Sequence, residues 1–181
     1  MSEGEEKTVM KYLFYGLLLL FFDINLNLGF SIINVLPDFV GYALIAYGMS
    51  RVADCKTYQR SCGLVKTAVA VDVVLWLIAI FGLQSNWVIG SICSMVSILF
   101  KLMVTWKIVL GVQEMELLHQ MDLNGAKLKR IWQMELCFTI GACLTGMLGM
   151  ALLWIFFCIA NLAASIAYLV LFYHAKGWVE P

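Results

Sequence analysis

Residues 17–42 read LLLLFFDINLNLGFSIINVLPDFVGY, and the interpretation of the whole chain depends on this stretch. Two apolar runs flank a segment in which polar residues recur: Asp23, Asn25, Asn27, Ser31, Asn34 and Asp38. If the first run is a membrane helix, only about 16 Å of apolar helix precedes Asp23, against a hydrocarbon core of about 30 Å. The stretch therefore predicts a helical hairpin that is shorter and more irregular than two ordinary membrane spans.

The composition of the whole chain indicates that such runs are membrane segments. Of the 181 residues, 62% are hydrophobic and 13% are charged, and the mean hydropathy is +0.89. Soluble domains are usually ~45–50% apolar and ~25% charged. These values exclude a soluble globular protein and a disordered chain. Twelve basic residues balance twelve acidic ones, so the chain has no net positive charge that would attract nucleic acid.

The chain is therefore expected to be an all-α, polytopic integral membrane protein that contacts the lipid bilayer. Its apolar segments predict a bundle of six transmembrane helices in a single domain over residues 1–181. The predicted spans are residues 12–30, 37–50, 67–82, 87–106, 131–147 and 150–173. Pro37 suits the first turn of the second helix, and Gly146-Met-Leu-Gly149 is the expected turn between the last two spans.

The basic residues predict which ends of the spans face the cytosol. With the N-terminus inside, eleven of the twelve Lys and Arg fall in inner regions: Lys7, Lys11, Arg51, Lys56, Arg60, Lys66, Lys107, Lys127, Lys129, Arg130 and Lys176. The exception, Lys101, lies in the fourth span near its inner end, and the outer turns contain no Lys or Arg. Cytoplasmic loops of membrane proteins carry an excess of Lys and Arg. Both termini are therefore expected in the cytosol.

Two further segments bear on how the helices are arranged. Residues 107–130 have an amphipathic pattern, which fits either a helix that continues the fourth span or one that lies on the membrane surface. Small residues recur every four positions in the fifth span, at Gly141, Thr145 and Gly149. Small residues let helices approach closely in lipid, and packing within one bundle is the preferred interpretation over a dimer contact.

The polar residues of the first hairpin are candidates for a binding site. Because both flanking helices are short, Asp23, Asn25, Asn27, Asn34 and Asp38 would lie below the outer surface. An ionised acid at depth costs about 2.5–3.5 kcal/mol on insertion scales and usually faces a cavity or a partner. One interpretation is an outward-facing polar pocket for a cation, an amine-bearing solute or protons. The other is that the acids only cap helices and hold the turn.

Three charges inside the predicted spans form a second candidate set. Antiparallel helices joined near Ser85 would bring Asp72 and Lys101 to depths that differ by only about 5 Å. Charges inside spans pair with one another or face water. We therefore expect Lys101 to lie against Asp72, with Glu135 as a second candidate partner. The alternative is that Lys101 extends to the inner headgroups on its long stem.

Enzymatic and metal-binding motifs are missing from the sequence. It has no H-E-x-x-H, no G-x-S-x-G and no glycine-rich phosphate loop. None of the six cysteines has the C-x-x-C spacing and there are only two histidines, so no metal or cofactor is expected. The sequence favours a non-enzymatic protein, either a binding or transport component for a small solute or ion, or an accessory or structural protein that acts through a membrane protein partner.

One segment resembles a known group of sequences. Asp23-Ile-Asn25, followed by Leu36-Pro-Asp-Phe-Val-Gly-Tyr42, is similar to a stretch of small uncharacterised bacterial polytopic membrane proteins with the pattern LPDF-x-GY. The resemblance is confined to residues 23–42. It implies a multi-pass protein of the bacterial inner membrane, and it supplies no mechanism.

Overall fold

The computed structural model describes residues 3–22, 25–27, 32–34, 37–52, 54–120 and 122–177. These residues form six α-helices and one short antiparallel ribbon. In chain order the elements are α1 (Glu3–Phe21), β1 (Asn25–Asn27), β2 (Ile32–Asn34), α2 (Asp38–Arg51), α3 (Lys56–Ile80), a 3-10 turn (Leu83–Ser85), α4 (Trp87–His119), α5 (Gly125–Met147) and α6 (Ala151–Gly177). The all-helical fold class is confirmed, and the ribbon is an addition that the sequence analysis did not predict.

Five helices extend beyond the predicted spans at charged ends: α1 begins at Glu3 instead of residue 12, and α6 continues to Gly177 instead of residue 173. At its other end α1 stops at Phe21 instead of residue 30. α3 begins at Lys56 instead of residue 67, α4 continues to His119, and α5 begins at Gly125 instead of residue 131. Lys, Arg, Glu and Gln are good helix formers, so a charge ends an apolar run without ending the helix. The amphipathic segment after residue 107 therefore starts as a continuation of α4.

Length and composition make three helices able to cross a membrane: α3, α4 and residues Ala151–His174 of α6. The apolar part of α1, Met10–Phe21, is shorter, and α2 has only 14 residues. α5 is not in this group, because polar side chains such as Gln133 and Glu135 lower its hydropathy.

The described chain divides into two compact units, residues 1–107 and residues 108–181. In the first unit α1 packs against α2. The fully buried residues of α1 are spaced three and four apart, as one helix face requires: Met10, Leu13, Leu17 and Leu20. The backbones approach closely at Gly16, where an added Cβ would lie 2.7 Å from the carbonyl oxygen of Gly41. Glycine at both positions is what permits this crossing.

α2 also packs against α3, on a second stripe of buried residues. The stripe on α3 is Tyr58, Ser61, Val65 and Ala68. Nearer the far end of α3, the rings of Phe39 and Trp76 meet edge to face with centroids 5.8 Å apart. Both ends of α2 are thus fixed by neighbouring helices.

The second unit contains the hairpin of α5 and α6. Its turn is the predicted one: Gly149 has φ +69°, and the N–H of Met150 donates to the carbonyl of Thr145 at 3.0 Å. This pattern is a Schellman motif, in which a left-handed residue lets the last carbonyls of a helix find donors. A Cβ on Gly141 would lie 2.6 Å from the ring of Phe157, so this small residue serves packing inside the hairpin.

Candidate functional site

The ribbon lies between the end of α1 and the start of α2. β1 and β2 are antiparallel, with Asn25 opposite Asn34 and Asn27 opposite Ile32. Successive residues of a strand alternate between its two faces, and opposed residues share a face. Asn25, Asn27 and Asn34 therefore belong to one face of the ribbon, together with Ile32. Three of the five predicted pocket residues are brought together in this way.

Of the two acids of the predicted pocket, the structure describes only one. Asp23 lies outside the described residues. Asp38 is the first residue of α2 and is half-buried. It follows Pro37, whose φ of −61° and ψ of 137° direct the chain into the helix. A carboxylate at this position interacts favourably with the positive end of the helix dipole.

The ribbon lies in the chain between two closely packed helices, α1 and α2. β2 also lies close to α3. Because the Gly16–Gly41 crossing holds the two helices at backbone contact, the ribbon is attached to a firm base. A backbone held in this way needs little reordering to bind a ligand.

Lys101 lies near the end of α1. Its Nζ is 4.7 Å from the centroid of the Phe21 ring, which is a cation–π contact. Phe21 is the last residue of α1, immediately before the polar segment. This aromatic contact was not predicted, because Lys101 was expected either to pair with a carboxylate or to extend to the headgroups. Asp72 is half-buried on α3, and its pairing with Lys101 stays a prediction.

Glu135 is enclosed in the hairpin of α5 and α6. Its side chain is 3% exposed, and its Oε1 accepts a hydrogen bond from Ser165 Oγ at 3.2 Å. One helical turn further along, Thr139 Oγ1 donates to Asn161 Oδ1 at 3.3 Å. Polar side chains thus cross the same interface twice, at matching four-residue steps on both helices. Ser165 and Asn161 are partners that the sequence analysis did not identify.

A further group of polar residues lies between the end of α4 and the start of α5. Glu116 Oε1 accepts a hydrogen bond from the N–H of Gly125 at 2.7 Å, which places a carboxylate at the positive end of α5. A Cβ on Gly125 would lie 2.9 Å from Gln113 Cγ, so glycine permits the close approach. A surface cavity of about 410 Å³ opens beside this cap, and it is lined by Glu116, Gln120, Asp122, Asn124, Ala126 and Lys127.

No protein-family model, curated protein or solved structure matches this chain. In the part of the chain that the structure describes, no three His, Cys, Asp or Glu side chains are grouped to hold a metal ion. Function is therefore inferred from the ribbon and from the distribution of charge.

Proposed function

We propose that this chain is an integral membrane protein of the bacterial inner membrane, with six spans and cytoplasmic termini. Three helices with the length and hydropathy of membrane spans support insertion. The placement of basic residues at the inner ends of the spans supports the topology. On this topology the ribbon faces the outside, and Arg51 and Lys56 face the cytosol.

The functional proposal rests on the short helices on either side of the ribbon. The apolar part of α1, Met10–Phe21, is about 18 Å long and α2 is about 21 Å long, against a hydrocarbon core of about 30 Å. Their connecting ribbon would therefore lie below the outer surface. Non-helical backbone at that depth is tolerated where it is buried in protein or lines a water-filled cavity. Asparagines on one ribbon face favour the cavity.

The chemistry of this face suits a small polar ligand. Each asparagine amide offers two donors and an acceptor, and Asp38 adds an acceptor with negative charge. Such a set binds a cation or an amine-bearing solute by hydrogen bonds and charge, and it contains no nucleophile paired with a base. We therefore assign the protein a non-enzymatic role, as a binding or transport component for a small solute or ion.

The test is ligand-dependent stabilisation of the purified full chain in mild detergent. The probes are the chloride salts of sodium, potassium, choline and the common polyamines, each scored by the shift in melting temperature. We expect at least one probe to raise it, and Asn25→Ala with Asn34→Ala to abolish the shift. Gln133→Ala, an exposed amide on α5, is the matched control and should leave the shift unchanged.

The result that contradicts binding at the ribbon is equal stabilisation of the wild type and the double variant. No response to any probe, combined with one protein that copurifies in stoichiometric amount, would instead favour the accessory role.

A further inference from the structure

One exposed face of α3 changes its chemical character along the helix. The residues on this face recur at helical spacing and are all exposed: Lys56, Arg60, Gly63, Lys66, Ala70, Val74 and Leu77. The first three turns are basic and the following turns are apolar. The opposite face carries the buried stripe against α2. Because α3 begins at Lys56, the basic residues belong to the same helix as the apolar ones.

Gly63 leaves an exposed gap between the side chains of the basic part, called the notch below. A Cβ built on it would meet nothing within 4 Å, so the space above it is empty. Arg60 and Lys66 are three residues before and after Gly63, and the helical repeat places them on either side of it. Two cations therefore flank a small notch, a geometry that suits one phosphate group.

We propose that this face binds one anionic phospholipid of the inner leaflet. Its phosphate lies in the notch at Gly63 between Arg60 and Lys66, and its acyl chains lie along Ala70, Val74 and Leu77. The distance from Lys66 to Leu77 along the helix is about 16 Å, which is close to half of a hydrocarbon core of about 30 Å. The lipid site rests on the proposed insertion in the membrane and is independent of the ribbon.

The apolar half of the face distinguishes a lipid from an acidic peptide. A cytosolic peptide would need only the basic turns from Lys56 to Lys66. A phospholipid matches both halves in the observed order, headgroup beside the cations and chains beside the apolar residues. Anionic lipids are also enriched on the side of the membrane where basic segments lie.

The experiment measures lipid binding to the purified full chain in dodecyl maltoside by native mass spectrometry. The probes are phosphatidylglycerol, phosphatidylcholine with the same acyl chains, and glycerol phosphate, which carries the headgroup charge without chains. We expect one phosphatidylglycerol to bind in preference to phosphatidylcholine, and glycerol phosphate not to compete at equal concentration.

Three variants locate the site. Arg60→Gln with Lys66→Gln should weaken phosphatidylglycerol binding about 25-fold, since each basic side chain near an anionic surface contributes roughly fivefold. Gly63→Leu should also weaken it, because the new side chain fills the notch without altering charge. Lys127→Gln with Lys129→Gln removes two exposed basic residues of α5 and is the matched control, which should bind as the wild type does.

Equal binding of the two lipids, or unchanged binding in the Arg60/Lys66 and Gly63 variants, would overturn the lipid site. Competition by an acidic peptide that Val74→Ser does not affect would also overturn it, in favour of a peptide. Alkaline extraction of native membranes distinguishes failure of the lipid site from failure of the proposed membrane insertion. If carbonate releases the chain, insertion itself is wrong; if the chain stays in the membrane, only the lipid site is.

Discussion

Glu135 is a carboxylate enclosed between α5 and α6, and it accepts a hydrogen bond from Ser165. We expect Ser165→Ala to destabilise the hairpin by about 1–2 kcal/mol, because it leaves a buried acceptor without its hydroxyl donor. Glu135→Gln with Ser165→Ala should lose less than the sum of the single changes, with a coupling of about 0.6 kcal/mol or more. Reversible unfolding in mixed micelles measures these values. Additive losses would show that the 3.2 Å contact contributes nothing to stability.

Variants of Lys101 test whether Lys101 and Asp72, two charged residues of the first unit, interact as a pair. If Lys101 and Asp72 interact, Lys101→Met alone should destabilise more than Lys101→Met combined with Asp72→Asn, because an unpaired acid at depth is costly. Phe21→Leu, which removes the ring beneath the ammonium, should cost about 0.5–2 kcal/mol. The melting temperatures of these three variants and of Asp72→Asn alone decide between the partners. Additive effects for Lys101 and Asp72 would leave Phe21 as the main partner of Lys101.

The candidate residues could be identified from the sequence, but the side chains that contact them were harder to predict. Glu135 was identified because a charge within an apolar segment is visible in the sequence. Its partner Ser165 is thirty residues away, and a serine in an apolar helix is ordinary. Only the position of the turn at Gly149 sets the register in which the two residues meet. The Phe21 contact of Lys101 depends in the same way on tertiary packing.

At the scale of elements, the crossing of α1 and α2 offers a controlled test. A Cβ on Gly16 would lie 2.6 Å from Ile45 Cγ1, whereas a Cβ on Gly63 would meet nothing within 4 Å. Gly16→Ala should therefore destabilise by about 1–3 kcal/mol through overpacking, while Gly63→Ala should be neutral or stabilise by up to about 1 kcal/mol through helix propensity. Thermal unfolding of both variants checks this contrast. Equal effects would mean that the crossing is not tightly packed.

Hydropathy and turn residues predicted the existence of the helices well. They predicted the first and last residues of those helices less well. The turn at Gly149 was predicted because left-handed backbone favours glycine. The start of α3 at Lys56 was not, because charged residues conceal a helix that continues beyond an apolar run. The ribbon was missed although Asn25-Leu26-Asn27 alternates polar and apolar residues, which is the period of a strand. Three-residue strands are too short for such a pattern to stand out.

At the scale of the whole molecule, the distribution of charge links the fold to the proposed function. Basic residues occupy the ends of the predicted spans that are expected to face the cytosol, whereas the asparagines of the ribbon lie between the two short helices of the first hairpin. If the topology is right, one side of the membrane meets the basic face of α3 and the other meets the ribbon. The ligand site and the lipid site would then lie on opposite sides of the bilayer.

Labelling of single cysteines by a membrane-impermeant maleimide tests this arrangement most directly. The six native cysteines are replaced by Ala or Ser, and Asn27→Cys, Ser85→Cys and Gln59→Cys are introduced one at a time. In intact spheroplasts we expect labelling at positions 27 and 85 and none at position 59 until the membrane is permeabilised. Labelling of position 59 from outside, or of positions 27 and 85 only after permeabilisation, would contradict it.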